Sequence, residues 1–158
     1  MERVIRHFQE ELEALQGRLL EMGGLAEERV RAAVHGIVSR NVAMVDQVLY
    51  GDDPINTLHI EVDERCFKLL ALHQPMAADL RAIVAAVKIN SDLERVGDLA
   101  VNIAEAAKRY VTHAPVKKLI DIPRMGDIAQ AMLRDALDSF VRRDMALARR
   151  VLNADDQL

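Results

Sequence analysis

Two stretches of this chain carry residue types and spacings that could do chemistry. Between Leu93 and Glu105, the residues Glu94, Asp98 and Asn102 stand at i, i+4 and i+8, so a helix would set them on one line. Glu105 falls seven residues beyond Asp98, almost on the same line. That line prolongs an apolar one through Leu80, Val84, Val87 and Ser91, which predicts acids at the bundle interior or its margin. Carboxylates about 6 Å apart repel, and they need exposure, a proton or a cation between them. His59 and Asp63 repeat the i, i+4 spacing on the preceding helix. Carboxylates with an imidazole suit iron, zinc, nickel or manganese rather than a thiolate-selecting metal. If the two helices are antiparallel neighbours, the two pairs face one another. The alternative is an ordinary helix surface pattern, and spacing alone favours it. No Glu-x-x-His occurs, so the ferritin-like di-iron signature is absent. His-Glu-x-x-His, P-loop and G-x-G-x-x-G patterns are absent too.

The elements that must position these residues read as long helices. A 3–4 spacing runs through Phe8, Leu12, Leu15, Leu19, Met22, Ala26, Val30, Ala33, Ile37, Asn41, Met44 and Val48. It predicts one continuous helix of ~45 residues, roughly 68 Å long. Gly23-Gly24 is a candidate kink or close contact within it, and Gly51 a C-terminal stop. A second helix walks Ile55, Leu58, Val62, Cys66, Leu69 and His73, with Asp53 as cap and Pro54 in the first helical position. A third starts near Gln74-Pro75 and runs to about Tyr110, with Gly97 inside it. Thr112 to Arg124 reads as a loop. A fourth helix comes next, its apolar face formed by Met125, Ile128, Met132, Leu133, Ala136, Phe140, Leu147 and Val151. Short links between long amphipathic helices imply antiparallel neighbours, so the first three form an elongated bundle.

The fourth helix resembles the first. Residues 139–157 align with 36–54 at an offset of 103. Val38/Val141, Arg40/Arg143, Ala43/Ala146, Val48/Val151, Leu49/Leu152, Asp52/Asp155 and Asp53/Asp156 are identical. If the repeat is real, the chain stops after one and a third repeats.

The stretch from Leu70 to Glu105, with Gln74-Pro75-x-Ala77-x-Asp79-Leu80-Arg81 at one end and Glu94-Arg95-x-Gly97-Asp98 followed by Asn102-Ile103 at the other, is similar to the central segment of the PhoU family. The Met22-Gly23-Gly24 step matches some members, and the resemblance covers the whole chain. It implies an all-α fold of two three-helix bundles related by an internal repeat. Residues 1–112 would be the first three-helix repeat, and 113–158 a linker and the first helix of a second, incomplete repeat, as in a C-terminally truncated member. It also implies a cytoplasmic negative regulator of phosphate uptake and phosphate-starvation signalling. Such a protein acts through the ATPase subunit of the phosphate ABC transporter and the phosphate sensor histidine kinase, peripheral to the membrane through those partners. A multinuclear metal site, iron foremost, is implied on Glu94, Asp98, Asp63, His59 and Asn102. Asp79, Arg81 and Arg95 are implied as a partner-binding or structural motif. His59 stands where the family pattern has an acid, so the site would carry less negative charge.

Composition agrees with this class. The chain has 158 residues, of which 51% are hydrophobic and only 3% aromatic, which disfavours both sheet and disorder. A net charge of −4 argues against nucleic acid as a partner. The lone Cys66 excludes an internal disulfide, suits a reducing compartment, and reads as an inert buried thiol. His73 reads as a partner of a helix C-terminus, and Arg142, Arg143, Arg149 and Arg150 as a solvated basic face. An unaccompanied fourth helix would bare Met132, Leu133, Ala136 and Phe140, which the first bundle, another chain or a swapped helix must cover, and a homo-oligomer is expected. The competing function is a metal-binding helical-bundle protein or a metalloenzyme with a carboxylate site, of which the enzyme is the weaker. It is disfavoured because no general base remains beyond the proposed ligands.

Overall fold

The computed structural model describes residues 2–51, 54–115 and 117–157, and every element among them is helical. In chain order they are α1 (Glu2–Ser39), α2 (Val42–Tyr50), α3 (Pro54–His73), α4 (Ala77–Val111), α5 (Asp121–Arg142) and α6 (Met145–Ala154), with a 3-10 turn over Asp155–Gln157. The fold is therefore all-α, as the apolar periodicity predicts. The expected Asp53 cap lies outside the described residues.

Two predicted helices are each divided in the structure. The stripe from Phe8 to Val48 is α1 plus α2, because Arg40 takes a left-handed backbone with φ 56°. The stripe from Met125 to Val151 is α5 plus α6, because Arg143 does the same with φ 55°. A non-glycine residue in that region costs about 1–2 kcal/mol, so each break needs support from the residue after it. That support is an N-cap. Asn41 accepts from the Met44 amide at 3.2 Å, and Asp144 from the Leu147 amide at 2.9 Å. The backbone bonds match as well: Asn41 N–H donates to Gly36 O at 3.0 Å, and Asp144 N–H to Ser139 O at 2.9 Å. Every one of these partners is related by the same offset of 103. The sequence repeat is thus also a repeat of local geometry. Elsewhere, α1 runs uninterrupted through Gly23-Gly24, and α5 starts inside the segment expected as loop, with Pro123 in its first turn. Pro75 does not itself open a helix. Met76 is the N-cap of α4, and Asp79 lies in the first turn near its positive end.

Helices α1, α3 and α4 pack around one core, which includes Leu15, Leu19, Met22, Val62, Leu69, Ile83 and Leu93. A second cluster joins Ala33, Val45 and Val48 of α1 and α2 to Ala100, Ala104 and Ala107 of α4. Small residues on α4 let neighbouring backbones approach closely there. Helix α5 lies along α1 and adds Leu137 to the main core. Its Met132, Leu133, Ala136 and Phe140 are half-buried, so the first bundle covers part of that apolar face.

The α1–α5 contact is reciprocal. Gly23 of α1 lies against Leu137 of α5, and Gly126 of α5 lies against Val34 of α1. Gly23/Gly126 and Val34/Leu137 are again pairs at the offset of 103. A pseudo-two-fold axis therefore passes between the two helices, and each glycine admits the other helix's branched side chain. A methyl group at Gly126 would sit 3.0 Å from Val34 Cγ1, and one at Gly23 would overlap Leu137.

Candidate functional site

Helix α4 is turned differently from the predicted orientation. Its buried line is Ile83, Ala86, Asn90, Leu93, Gly97, Ala100, Ala104 and Ala107. The line predicted as the seam, through Leu80, Val84, Val87 and Ser91, is its neighbour, and Leu80, Val84 and Ser91 are exposed. The physical reason is size. At the centre of the molecule α4 packs on α1, α2 and α3, and such close approach selects Ala and Gly over Leu and Val. Consequently Asp98, Asn102 and Glu105 are exposed, which corrects their expected place at the interior or its margin, while Glu94 is half-buried at the margin.

The residue the spacing did not single out is Asn90. It is fully buried, and its Nδ2 donates at 2.9 Å to the His59 carbonyl and at 2.9 Å to Asp63 Oδ1. His59 Nε2 lies 3.8 Å from Asp63 Oδ2. So the structure does bring His59 and Asp63 together, and it does so on Asn90. Asn90 Oδ1 and His59 Nδ1 are buried with no hydrogen-bond partner among the described residues. Below this cluster Cys66 is buried. Burial, and then the charge of Asp63, push its thiol up to about 11, so it stays protonated and unreactive at neutral pH.

As a metal site these residues do not form one set. Among the described residues, no three His, Cys, Asp or Glu side chains converge on a common point. One oxygen of Asp63 is occupied by the Asn90 amide, and Asp98 and Asn102 face solvent. Arg81 and Arg95 are exposed, and Asp79 is half-buried at the α4 N-terminus. A crevice of about 650 Å³ lies elsewhere, between α1 and α2, lined by Leu25, Arg29, Ala32, His35, Met44 and Val48.

Two further charged contacts tie the helices together, and neither has a sequence signature. At the end of α3, His73 Nε2 is 3.1 Å from Glu11 Oε2, with Lys68 Nζ 3.4 Å and His7 Nε2 3.5 Å from Glu11 Oε1. His73 thus stands in the last turn of α3, as expected, and also partners a carboxylate of α1. Partial burial alone would raise the Glu11 carboxyl. The His73 hydrogen bond, then Lys68 and His7, outweigh it and leave the carboxyl below its ordinary range. At the other end of the bundle, Arg40 donates to the carbonyls of Val111, at 2.7 Å, and His113. Its guanidinium also stacks 5.2 Å from the Tyr110 ring centre. Arg40 is therefore a clamp on the C-terminal end of α4.

The surface of α3, α4 and α6 bears exposed apolar side chains, among them Phe67, Leu80, Val84, Leu99, Met145 and Leu152. No described helix is long and apolar enough to cross a membrane. The arrangement offers exposed helical faces for contact.

Comparison with known proteins agrees with this architecture. The family described as PhoU domain matches residues 19–107 and 122–158. A phosphate-specific transport system accessory protein PhoU homolog from Aquifex aeolicus is 38% identical over 92% of this chain and 66% of its own length. One from Caulobacter vibrioides is 37% identical over 99% of this chain and 69% of its own length. The accessory protein PhoU of Serratia marcescens is 33% identical, with 62% of its length matched. The chain thus spans about two thirds of the length of these relatives. The crystal structure of PhoU from Pseudomonas aeruginosa superposes with a TM-score of 0.88 at 36% identity, covering 95% of this chain and 72% of that one. That of the phosphate transport system regulatory protein PhoU from Streptococcus pneumoniae gives 0.84 at 28% identity, covering 95% and 70%. With a family match over most of its residues and the same helical framework, the chain belongs to the PhoU family.

Proposed function

We propose that this chain is a cytoplasmic, non-enzymatic regulator of phosphate uptake and phosphate-starvation signalling. It acts by docking helical faces on the ATPase subunit of the phosphate ABC transporter and on the phosphate sensor histidine kinase. The observation that carries this reading is the shared framework and sequence of accessory proteins of phosphate-specific transport over nearly the whole chain. The geometry is compatible with it, because α3 and α4 present apolar side chains such as Phe67, Leu80, Val84 and Leu99 to solvent. Division into a first repeat, 1–112, and a second, 113–158, is part of the reading, and the reciprocal glycine contacts support it.

The test is co-purification of the whole chain from phosphate-replete cells. The ATPase subunit or the sensor kinase is expected in the eluate. Absence of both, at matched expression and with divalent metal present, would overturn the reading.

A further inference from the structure

Where the end of α3 meets α1, the bundle gathers a second set of donor atoms, apart from the acids of α4. Glu11 is its centre. The carboxylate has His73 Nε2 3.1 Å from Oε2 and His7 Nε2 3.5 Å from Oε1. His7 and Glu11 stand at i, i+4 on one face of α1, and His73 reaches them from α3. The two imidazoles meet edge to face with ring centres 6.1 Å apart. The Phe8 ring packs 5.1 Å from that of His73 and helps to fix its orientation.

Two imidazoles and one carboxylate, with a water completing the tetrahedron, are a zinc donor set. Neighbouring donors around such an ion lie about 3.3 Å apart, close to both nitrogen–oxygen separations found here. Two imidazoles on one tetrahedral zinc hold their ring centres about 5 Å apart. As the side chains stand, the three do not converge on one point. The ring centres put the shortfall at about 1 Å. His7 can supply that movement, because its side chain is 64% exposed while that of His73 is 12% exposed.

The position on Glu11 is held by another cation. Lys68 Nζ lies 3.4 Å from Oε1, on a side chain that is 62% exposed. A point charge on a flexible stem can turn out into water when a divalent ion takes the carboxylate. The cluster is also separate from the other features of the molecule. His59 lies fourteen residues back along α3, about 21 Å away. Helix α5 packs on α1 through Gly23 and Val34, about a third of a turn around α1 from Glu11.

We propose that His7, Glu11 and His73 bind a zinc-type divalent ion that pins the end of α3 to α1. Lys68 holds the carboxylate without the ion and swings out when the ion binds. The proposal does not depend on the phosphate reading, because its readout is metal bound at these residues.

The test uses the whole chain without an affinity tag, cleared of metal with a chelator and titrated with zinc chloride. Calorimetry measures the affinity, and nitrogen-15 spectra of the histidine rings locate the ion. The ring nitrogens of His7 and His73 are expected to shift together. His7→Ala and His73→Ala should each weaken this binding at least tenfold. Lys68→Gln should tighten it severalfold, because the competing cation is gone, and tighter binding cannot come from a chain that fails to fold. Magnesium should leave both rings unshifted, since it selects oxygen donors. Zinc that leaves His7 and His73 unshifted, whether or not His59 moves, overturns the proposal. So does a Lys68→Gln chain that binds zinc no more tightly than the unchanged one.

Discussion

Replacing Asn90 by Asp is expected to destabilise the protein by about 3–5 kcal/mol at pH 7, the range for an uncompensated buried charge. The substitution keeps the shape and removes two donated hydrogens. A carboxylate would then face the His59 carbonyl and Asp63 Oδ1, both at 2.9 Å, from a side chain with no solvent exposure. Two carboxylates at that separation cannot both ionise, so one is held protonated well above its ordinary range. This fixes the sign of the pH dependence. In the folded variant the pair binds a proton that the unfolded chain releases near pH 4. Stability is therefore lost as pH rises from about 4, and the deficit against wild type shrinks as pH is lowered again. Urea unfolding of both proteins at pH 7 and pH 4.5 measures it. An Asn90→Leu chain lacks the added charge, so its deficit should stay flat with pH. An Asn90→Asp deficit that is also flat would show that the buried amide does not hold Asp63 and His59 in the way described.

The second large effect is expected at Gly23. A methyl there already overlaps Leu137, so Gly23→Leu cannot be accommodated while α5 lies on α1. The cost is about 3 kcal/mol, and it falls on α5 and α6, whose main support is α1. Hydrogen exchange should quicken about a hundredfold across 121–154 and change little in the cores of α3 and α4. Adding Leu137→Ala should restore much of the protection, because it empties the space the new side chain needs. Uniform loss of protection through the whole chain would mean that α5 is not a separable layer on the first bundle.

These effects mark where the sequence was legible and where it was not. The long apolar stripes were readable, and the α1 face from Leu12 through Ala33 is buried as expected. The helix breaks at Arg40 and Arg143 were not, because neither site has Gly or Pro and both lie on an unbroken apolar spacing. A signal was nevertheless present, since each arginine precedes an Asx residue able to cap, and the repeat alignment pairs the two arginines. Helix α4 is rotated by one line from the seam its larger residues predict. Leu80 and Val84 look more like core than Ala86, Gly97 and Ala100, yet close packing at the molecular centre favours the small residues. Asn90 stands four residues before Glu94, and it could be recognised only once the true seam was known. The Glu11–His73 contact joins residues 62 apart, so no local pattern announces it.

The proposed role of this PhoU-family chain as a restraint on the phosphate-starvation response has a direct test. The most direct measurement is the output of a phosphate-starvation promoter in phosphate-replete cells that lack the chain. A severalfold rise in that output is expected, with the promoter no longer responsive to phosphate, and its return to the repressed level when the chain is supplied from a plasmid. Output that stays repressed without the chain would contradict the claim.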